Sequence, residues 1–431
     1  MSSGKELAIN GGPKAITSEP DDVFDWPIIT PEDEAAVLDV LRRRAMSGTD
    51  VTRQFEQEFA DWIGAKYALA YHNGTASLRA AMWACGLGLG DEIICPSLTF
   101  WGSCTQALTL GAAVNFADVD PATINIDPGD IEHRIGPRTK AIMVVHYSGY
   151  PCDMDPIMEI ANRHGVKVIE DVSHAHGSLY KGRKCGTIGH VAAMSLMSGK
   201  SLAIGEAGIL VTDDLQIYER CIAYGHYERT GAPTMYNPPT QPLSDPELSK
   251  FAGLAMGGHK HRIHQLSSAL GRVQLKYYDQ RMAEIDGAMN EFWDCLEGVP
   301  GLTARRPPKG SGSTCGGWYN CFGLYDARAL GGLPVEKFRA ALQAEGLSTG
   351  GINFPLHLHP LFHQADLFWE GKPTMVAHTD RDVRQGPGSL PHAEAVDSRV
   401  YRIPWFKHRR PALIKEYADA FRKVAEHADQ L

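Results

Sequence analysis

The sequence lacks most of the features that mark membrane, secreted and nucleic-acid-binding proteins. No apolar run in its 431 residues approaches the roughly 20 residues that a helix needs to cross a bilayer. Residues 1–16 lack the apolar segment of a signal peptide. The net charge is −9 and no long basic block is present, so neither nucleic acid nor an anionic membrane surface is expected as a partner.

The cysteines show no sign of disulfide or metal chemistry. The nine residues are an odd number at scattered spacings, and they form neither a CxxC pair nor a disulfide framework. Several lie within apolar or helical patterns, as buried free thiols usually do. We therefore expect a reduced, soluble protein of the cytoplasm.

The chain does have short runs of β-forming residues that alternate with amphipathic helices, such as 76–88 and 155–165. This alternation predicts an α/β fold with a mainly parallel sheet that helices cover on both faces. With 43% hydrophobic residues, the chain can bury a large core. The predicted strands are seven: 67–70, 92–94, 113–117, 141–146, 166–170, 191–195 and 209–212.

The pattern changes after about residue 275. A long helix is predicted within 279–298, followed by Gly- and Pro-rich turns, a mixed α+β segment and a last helix at 411–428. The sequence therefore predicts two domains. Residues 1–275 would form an N-terminal segment with a large domain, and residues 276–431 a smaller C-terminal α+β domain.

The stretch MSLMSGKSLAIGEAG, residues 194–208, places the amine of Lys200 among small and apolar residues at a predicted strand end. Desolvation lowers the pKa of a lysine, so that its nucleophilic neutral form exists near pH 7. Lysine suits Schiff-base chemistry for that reason. The alternative is a lysine at a strand–loop junction that extends its ammonium to water.

Two further strand ends carry polar groups. In YHNGTASLRAAM the small residues Gly74, Thr75 and Ala76 open a helix, whose N-terminus suits a phosphate. The alternative is an ordinary helix capped by Thr75 or Ser77.

In VKVIEDVSHAHGS, Asp171 ends an apolar strand and is followed by His174 and His176. A carboxylate here could keep a heterocyclic nitrogen protonated. The alternatives are a cap for the next turn and a metal site, for which two histidines with an aspartate are weak evidence.

Ligands of open α/β sheets lie beyond the carboxyl ends of the strands. Together, a phosphate cradle, an anion and an amine at these ends describe a pocket for pyridoxal 5′-phosphate (PLP).

An ordered set of motifs resembles one known family. The motifs are NGTASL, GDEIICPSLTF, HYSGYPCDMD, VIEDVSHAHGS, SLMSGK…GEAG and RIHQLSSALGRVQL. From about residue 45 to the C-terminus, the chain resembles the DegT/DnrJ/EryC1/StrS family of PLP-dependent sugar and cyclitol aminotransferases. The resemblance implies the fold of a fold-type-I PLP transferase and a homodimer with active sites at its interface.

The resemblance also implies roles for individual residues. Lys200 matches the lysine that forms the Schiff base, and Asp171 matches the carboxylate that pairs with the pyridine nitrogen. His174 matches a position beside the ring, and Phe100 matches the aromatic residue that stacks on its face. The positions that match phosphate ligands are Gly74, Thr75, Ala76 and Ser195.

The chain departs from the family pattern at two places. GHKHR replaces GYNYR, so Lys260 stands where the family often has an asparagine that reaches the partner's phosphate. Lys260 could replace that contact, or it could be a solvated loop lysine. GEAG replaces GEGG, with Ala207 in place of a glycine.

Arg229 and Arg262 are candidates for binding the donor carboxylate, and Arg262 is equally a candidate for a structural ion pair.

The implied activity is a two-stage transamination. The amino donor would be L-glutamine or L-glutamate, and the acceptor a keto-sugar, often nucleotide-linked, or a keto-cyclitol such as an inosose. NGGPKAI and VHYSGYPCDMDPIMEIA resemble the cyclitol-type members more closely. The alternatives are a PLP-dependent sugar dehydratase or an aromatic-ring-forming enzyme on the same scaffold, and a non-catalytic regulatory protein. Lys200 favours amino transfer, because some dehydrating relatives have histidine in its place.

Overall fold

A computed structural model describes residues 6–20, 22–233 and 240–431. Its centre is a seven-stranded sheet with the order β3-β2-β4-β5-β8-β9-β1, in which only β9 runs antiparallel to its neighbours. The strands of this sheet are β1 Tyr67–Tyr71, β2 Glu92–Pro96, β3 Ala113–Ala117, β4 Thr139–Val145, β5 Lys167–Asp171, β8 Val191–Ser195 and β9 Gly208–Thr212. The other strands are the hairpin β6 Leu179–Tyr180 and β7 Arg183–Lys184, and the small sheet of β10 Leu302–Thr303, β11 Phe322–Tyr325 and β12 Val400–Arg402. The predicted α/β class and mainly parallel sheet are confirmed.

Helices lie on both faces of the sheet because its strands are apolar on both sides. In β4, Met143 and Val145 pack in one core, whereas Ile142 and Val144 pack in the other. The predicted helices at 76–88 and 155–165 correspond to α3 and α6. The α-helices are α1 Pro31–Arg42, α2 Asp50–Ile63, α3 Gly74–Ala84, α4 Thr105–Thr109, α5 Pro128–Arg134, α6 Met154–His164, α7 Leu215–Gly225, α8 Pro246–Ser249, α9 Gln265–Cys295, α10 Val335–Ala344, α11 Leu361–Gln364, α12 Thr374–Ala377, α13 Pro391–Glu394 and α14 Pro411–Glu426. No helix in the described part of the chain is long and apolar enough to cross a membrane.

The 31-residue helix α9 links two cores. Toward its middle, Leu275 and Tyr278 pack in a sheet core, and from Ile285 onward the helix packs in a third core with α10 and α14. Leu7 and Val23, which precede α1, belong to that third core as well. The boundary predicted at residue 275 lies inside α9, and the division into two domains stays a prediction.

One edge of the sheet, strand β3, is covered by the segment 361–385. The Gln385 side chain accepts a hydrogen bond from the Phe116 N–H at 3.1 Å and donates one to the Phe116 carbonyl at 2.6 Å. The N–H of Val114, two residues earlier in β3, donates to the Met375 sulfur at 3.3 Å. Backbone groups that a neighbouring strand would otherwise bind are therefore satisfied by side chains.

Candidate active site

The carboxyl ends of β1, β5 and β8 border one cavity of about 410 Å³. Of the residues singled out from the sequence, those that line it are Gly74, Thr75, Phe100, Asp171, His174, Ser195 and Lys200. Ala76 lies in the first turn of α3 behind the cavity wall, and Lys260 is exposed in the loop before α9. A more open groove of about 1120 Å³ between α1, α2 and α9 contains none of these residues.

The turn between β1 and α3 is capped by Asn73. Its Oδ1 accepts the N–H of Ala76 at 2.8 Å, so the cap is neither Thr75 nor Ser77, the two residues that the sequence suggested. The Ser77 hydroxyl instead donates to the Gly74 carbonyl at 2.7 Å. The N–H groups of Gly74 and Thr75 belong to the first turn, where a helix leaves its donors without intrahelical partners. They could bind a phosphate, which the helix dipole also favours.

Gly74 packs directly against the end of β8. A Cβ at this position would lie 2.7 Å from both Cα and Cβ of Ser195, closer than carbon atoms can approach. A Cβ at Gly208, which pairs with Tyr71 at the start of β9, would lie 2.4 Å from the Asn73 carbonyl oxygen. The turn therefore requires glycine on both sides of the contact.

Asp171 is buried at the floor of the cavity, with 3% of its surface exposed. Its Oδ2 accepts a hydrogen bond from the Ser103 hydroxyl at 2.7 Å, and its Oδ1 accepts one from the N–H of Ser173 at 3.0 Å. Ser103 in turn contacts the hydroxyl of Thr99 at 2.8 Å. These bonds hold the carboxylate in one orientation, and each oxygen keeps a lone pair for a further donor.

His174 is a neutral, oriented imidazole. Its Nδ1 accepts the N–H of Ser148 at 3.3 Å, which leaves the proton on Nε2. Burial, together with the charge of Lys200, holds the pKa of His174 well below its usual value. Ser148 has a left-handed φ of 51°, an unusual conformation for a serine that brings its N–H to the ring.

His176 belongs to the frame of the site and does not line the cavity. Its Nε2 donates to the carbonyl of Ser195 at 2.9 Å, and its Nδ1 contacts the Ser201 hydroxyl at 3.2 Å. Burial lowers the pKa of His176 to about 3, so its ring is uncharged. Among the described residues, no three His, Cys, Asp or Glu side chains come together as a metal site.

Lys200 is enclosed, with 8% of its surface exposed. Burial lowers the pKa of its amine to about 8, and the nearby Asp171 carboxylate opposes the shift. About a tenth of the amine is therefore neutral at pH 7, far more than for a solvated lysine, as the apolar setting predicted. The Lys200 carbonyl accepts a hydrogen bond from Trp26 Nε1 at 2.9 Å, and its Nζ lies 4.0 Å from the centre of the Tyr319 ring.

Phe100 leaves one side of its ring free at the mouth of the cavity. Half of its surface, 50%, is exposed in the single chain, and it packs against Trp101 with ring centres 4.8 Å apart. A Cβ on Gly102 would lie 2.9 Å from the Phe100 ring, so the small residue lets the ring settle there. The position allows it to stack on a planar ligand.

The two candidate arginines lie outside the cavity lining. Arg229 donates to Glu56 at 2.6 Å, and both side chains are buried, so its guanidinium is already committed to an ion pair. Arg262 joins its backbone to Tyr71 by an isolated antiparallel bridge. This bridge ties the loop of Lys260 to the end of β1.

Several cavity residues were not predicted from the sequence. Ser103 lies three residues after Phe100, and its hydroxyl is the type of group that could have been suspected as a partner of Asp171. Tyr319, Asn320 and Asn353 come from the C-terminal part of the chain, where no motif marks them.

The sequence model of one protein family matches residues 27–422, a range that includes every residue lining the cavity. The chain belongs to the DegT/DnrJ/EryC1/StrS aminotransferase family. The family match confirms the resemblance seen in the motifs.

Individual relatives align along most of the aminotransferase. It is 31% identical over 450 residues to L-glutamine:scyllo-inosose aminotransferase of Streptomyces griseus, with 99% of each chain covered. It is 33% identical over 311 residues to GDP-perosamine synthase of Caulobacter vibrioides, with 71% of this chain and 77% of the relative covered. The crystal structure of an aminotransferase from Psychrobacter cryohalolentis superimposes with a TM-score of 0.78 at 28% identity, covering 94% of this chain and 100% of that one.

The protein is thus a PLP-dependent aminotransferase of fold type I, and the predicted enzyme class and cofactor are confirmed. The residues present fit PLP. The cavity of about 410 Å³ lies within the range of about 300–1,000 Å³ typical of ligand sites. It brings a poorly solvated amine, an oriented carboxylate and a glycine-opened helix N-terminus to one place.

Replacing Gly74 with alanine is expected to weaken both the fold and cofactor binding. Alanine normally favours a helix over glycine, but here the added methyl group meets Ser195, and overpacking costs about 1–3 kcal/mol. We expect unfolding at lower denaturant concentration and a PLP affinity reduced by up to about a hundredfold. Denaturant unfolding and PLP titration measure the two effects.

Gly88→Ala is the matched control for this substitution. A Cβ there would meet only the Asp91 carboxylate, at 3.9 Å, and should change neither quantity. A Gly74→Ala variant that matched this control in both assays would contradict the steric argument.

Proposed function

We propose that the enzyme transfers an amino group from L-glutamine or L-glutamate to a keto-cyclitol. The observation that carries this proposal is the charge of the cavity. Among the described residues that line it, Lys200 is the one cationic side chain, whereas Asp171 and Glu206 are acidic. A nucleotide diphosphate is bound by arginine and lysine, and a cyclitol ring carries no charge. Asn320 and Asn353 supply amide groups that the ring's hydroxyls need.

The relatives support the same acceptor. The alignment with the S. griseus protein, whose name gives L-glutamine as donor and scyllo-inosose as acceptor, covers 99% of both chains. The alignment with the synthase named for a GDP-linked sugar covers 71% of this chain.

We assign the cofactor contacts to the cavity residues. Gly74, Thr75 and Ser195 would hold the phosphate at the N-terminus of α3. The predicted role of Ala76 stays a prediction, because its N–H is donated to Asn73. The contacts proposed for the ring are those of Asp171 with its nitrogen, His174 with its phenolic oxygen and Phe100 with its face.

Lys200, Asp171 and His174 each have a different part in the proposed amino transfer. PLP, when bound, supplies an aldehyde that takes up the amino group and a ring that accepts the electrons left on the donor carbon. Lys200 is the base that removes the proton from the donor Cα, and its pKa near 8 suits that task at neutral pH. Asp171 keeps a proton on the facing ring nitrogen by its charge. His174, with its proton on Nε2, is a hydrogen-bond donor toward the cavity.

A donor and acceptor screen with mass detection tests the proposed function. Purified enzyme with PLP is incubated with L-glutamine or L-glutamate and, in parallel, with scyllo-inosose or a nucleotide-linked keto-sugar. We expect an amine product from the inosose. Amination of the nucleotide-linked sugar alone would overturn the acceptor assignment. A product that has lost water would favour the dehydratase alternative.

We further propose that the enzyme is a homodimer in which Lys260 reaches the partner's phosphate. In its own chain Lys260 is exposed and does not line the cavity. Its loop is fixed at the end of β1 by the Tyr71–Arg262 bridge and by the N–H of His72, which donates to the His261 carbonyl at 3.3 Å. A charge-assisted bond to phosphate is about twice as strong as a neutral one.

Complementation between two variants checks the role of Lys260. Lys200→Ala and Lys260→Ala are mixed at limiting PLP after subunit exchange. If Lys260 acts across the interface, each mixed dimer has one site with neither lesion, and activity is expected to return toward half the normal value per mixed dimer. Without recovery, the contact does not cross the interface. Lys250→Ala, which removes an exposed lysine paired with Glu247, should leave PLP affinity unchanged.

A further inference from the structure

The amine of Lys200 has an aromatic neighbour that the proposed chemistry does not use. Its Nζ lies over the ring of Tyr319, 4.0 Å from the ring centre. The same ring contacts His174 at 4.7 Å between ring centres and meets Trp405 edge-on at 5.4 Å. Trp405 is itself in contact with the Lys407 amine. Tyr319 is therefore held between Lys200 on one side and the C-terminal part of the chain on the other.

The backbone that carries Tyr319 adopts an unusual conformation. Its two neighbours, Trp318 and Asn320, have left-handed φ angles of 53° and 55°. A bulky side chain such as that of Trp318 rarely adopts this region, and such a conformation persists only where the surrounding structure enforces it. The turn of residues 315–320 is thus shaped to present this one ring to the cavity.

The turn packs closely against the segment that follows Lys200. A Cβ at Gly317 would lie 2.2 Å from Cβ of Ser201, the residue that follows Lys200. A Cβ at Gly316 would lie 2.5 Å from the His176 carbonyl oxygen. The Gly317 carbonyl also accepts a hydrogen bond from Trp405 Nε1 at 2.9 Å. These contacts fix the turn against the segments that carry His176, Ser201 and Trp405.

The ring acts on the amine through its charge distribution. The face of an aromatic ring attracts an ammonium group, so Tyr319 favours the charged amine and opposes the effect of burial. The other titratable groups that line the cavity are Asp171, whose charge acts in the same direction, the exposed Glu206, and His174, which is neutral because burial lowers its pKa. His176 lies outside the lining and is neutral for the same reason. Tyr319 thus supplies an attraction that a neutral aliphatic side chain would not.

We propose that Tyr319 is a positioning residue for Lys200, whose ring face holds the charged amine in one place at the cavity wall. The inference rests on the proposed role of Lys200 as the base. When that amine is not bonded to the cofactor, the ring keeps it within the cavity. The hydroxyl of Tyr319 takes no part, so phenylalanine should replace tyrosine without loss.

The experiment measures the pKa of the Lys200 amine in the full-length protein freed of PLP. Trace acetylation with acetic anhydride at a series of pH values, read by peptide mass spectrometry, gives this pKa directly. We expect Tyr319→Phe to match the wild type. Tyr319→Leu should lower the Lys200 pKa by about 0.4–1.5 units, because the attraction of the ring is lost. The rate of amino transfer should fall in Tyr319→Leu and be retained in Tyr319→Phe.

A second series removes the charge effect without changing the size of the ring. Phenylalanine carrying one, two or three fluorine atoms at position 319 weakens the attraction of the face stepwise, and the Lys200 pKa should fall with each step. An unchanged or raised pKa across the fluorinated series would overturn the proposal, even if Tyr319→Leu failed to fold. The result is independent of the catalytic assignment, since failure of Lys200 as the catalytic lysine would appear in cofactor labelling and not in this pKa.

Discussion

Lys200→Ala is expected to lose amino transfer by at least about a thousandfold, because the proposed mechanism uses this one amine both as the attachment point of the cofactor and as the base. Borohydride treatment of the yellow wild-type enzyme should fix PLP covalently to Lys200, and the variant should take up no such label. Peptide mapping of the reduced protein locates the bond. Apolar burial makes this amine reactive, since it lowers the pKa to about 8 and leaves 8% of the residue exposed.

The chain offers a matched control in Lys407. This lysine is also buried, and burial lowers the pKa of its amine to about 6. It contacts the rings of Trp26 and Trp405, and it does not line the cavity. Lys407→Ala should therefore keep the label on Lys200 and retain most of the activity. If mapping placed PLP on Lys407 or on any other lysine, the assignment of Lys200 would be wrong.

Asp171→Asn is expected to lower the rate of amino transfer by about a hundredfold or more while much of the PLP affinity remains. An amide can still hydrogen-bond, but it cannot hold a proton on the ring nitrogen by charge, so the electron-accepting property of the ring is lost. The substitution does not touch Gly74, Thr75 and Ser195, the residues proposed to hold the phosphate. Equilibrium dialysis measures PLP binding, and the loss of visible absorbance on mixing with L-glutamate measures the first half-reaction.

Ser103→Ala is the companion variant for Asp171. It removes the 2.7 Å hydrogen bond to Oδ2 and leaves the negative charge in place. We expect a loss of about tenfold, at the lower end of the about 1.5–3 kcal/mol that a hydrogen bond to a charged group contributes, because the Ser173 N–H still orients the carboxylate. Near-normal turnover of Asp171→Asn would mean that the carboxylate only caps its turn.

The sequence allowed prediction of the parts of the site that follow strand ends. Asp171 and Lys200 lie within or shortly after apolar runs whose periodicity identifies them as strands, and parallel strands bring their ends to one edge. The helix cap shows the limit of local reasoning. Asn73, Thr75 and Ser77 all carry suitable oxygens, and only the backbone conformation of residue 73 selects the asparagine.

Tyr319 and Asn353 could not be predicted in this way. They reach the cavity through the packing of the C-terminal part of the chain, and the left-handed φ angles beside Tyr319 leave no pattern in the letters WYN. Arg229 shows the opposite case. Its charge made it a reasonable candidate for binding the donor carboxylate. The ion pair that it forms with Glu56 joins residues far apart in the chain, so the sequence does not indicate it.

The side chains that cover β3 also bear on the tendency of the protein to aggregate. An open edge strand is a template on which a second molecule can add its own strand, and repeated addition leads to fibres. The Gln385 side chain binds both the N–H and the carbonyl of Phe116, so these groups are not free to pair with an added strand. The segment 361–385 therefore blocks the addition of a strand at the β3 edge, and we expect Gln385→Ala to make the protein more prone to aggregate.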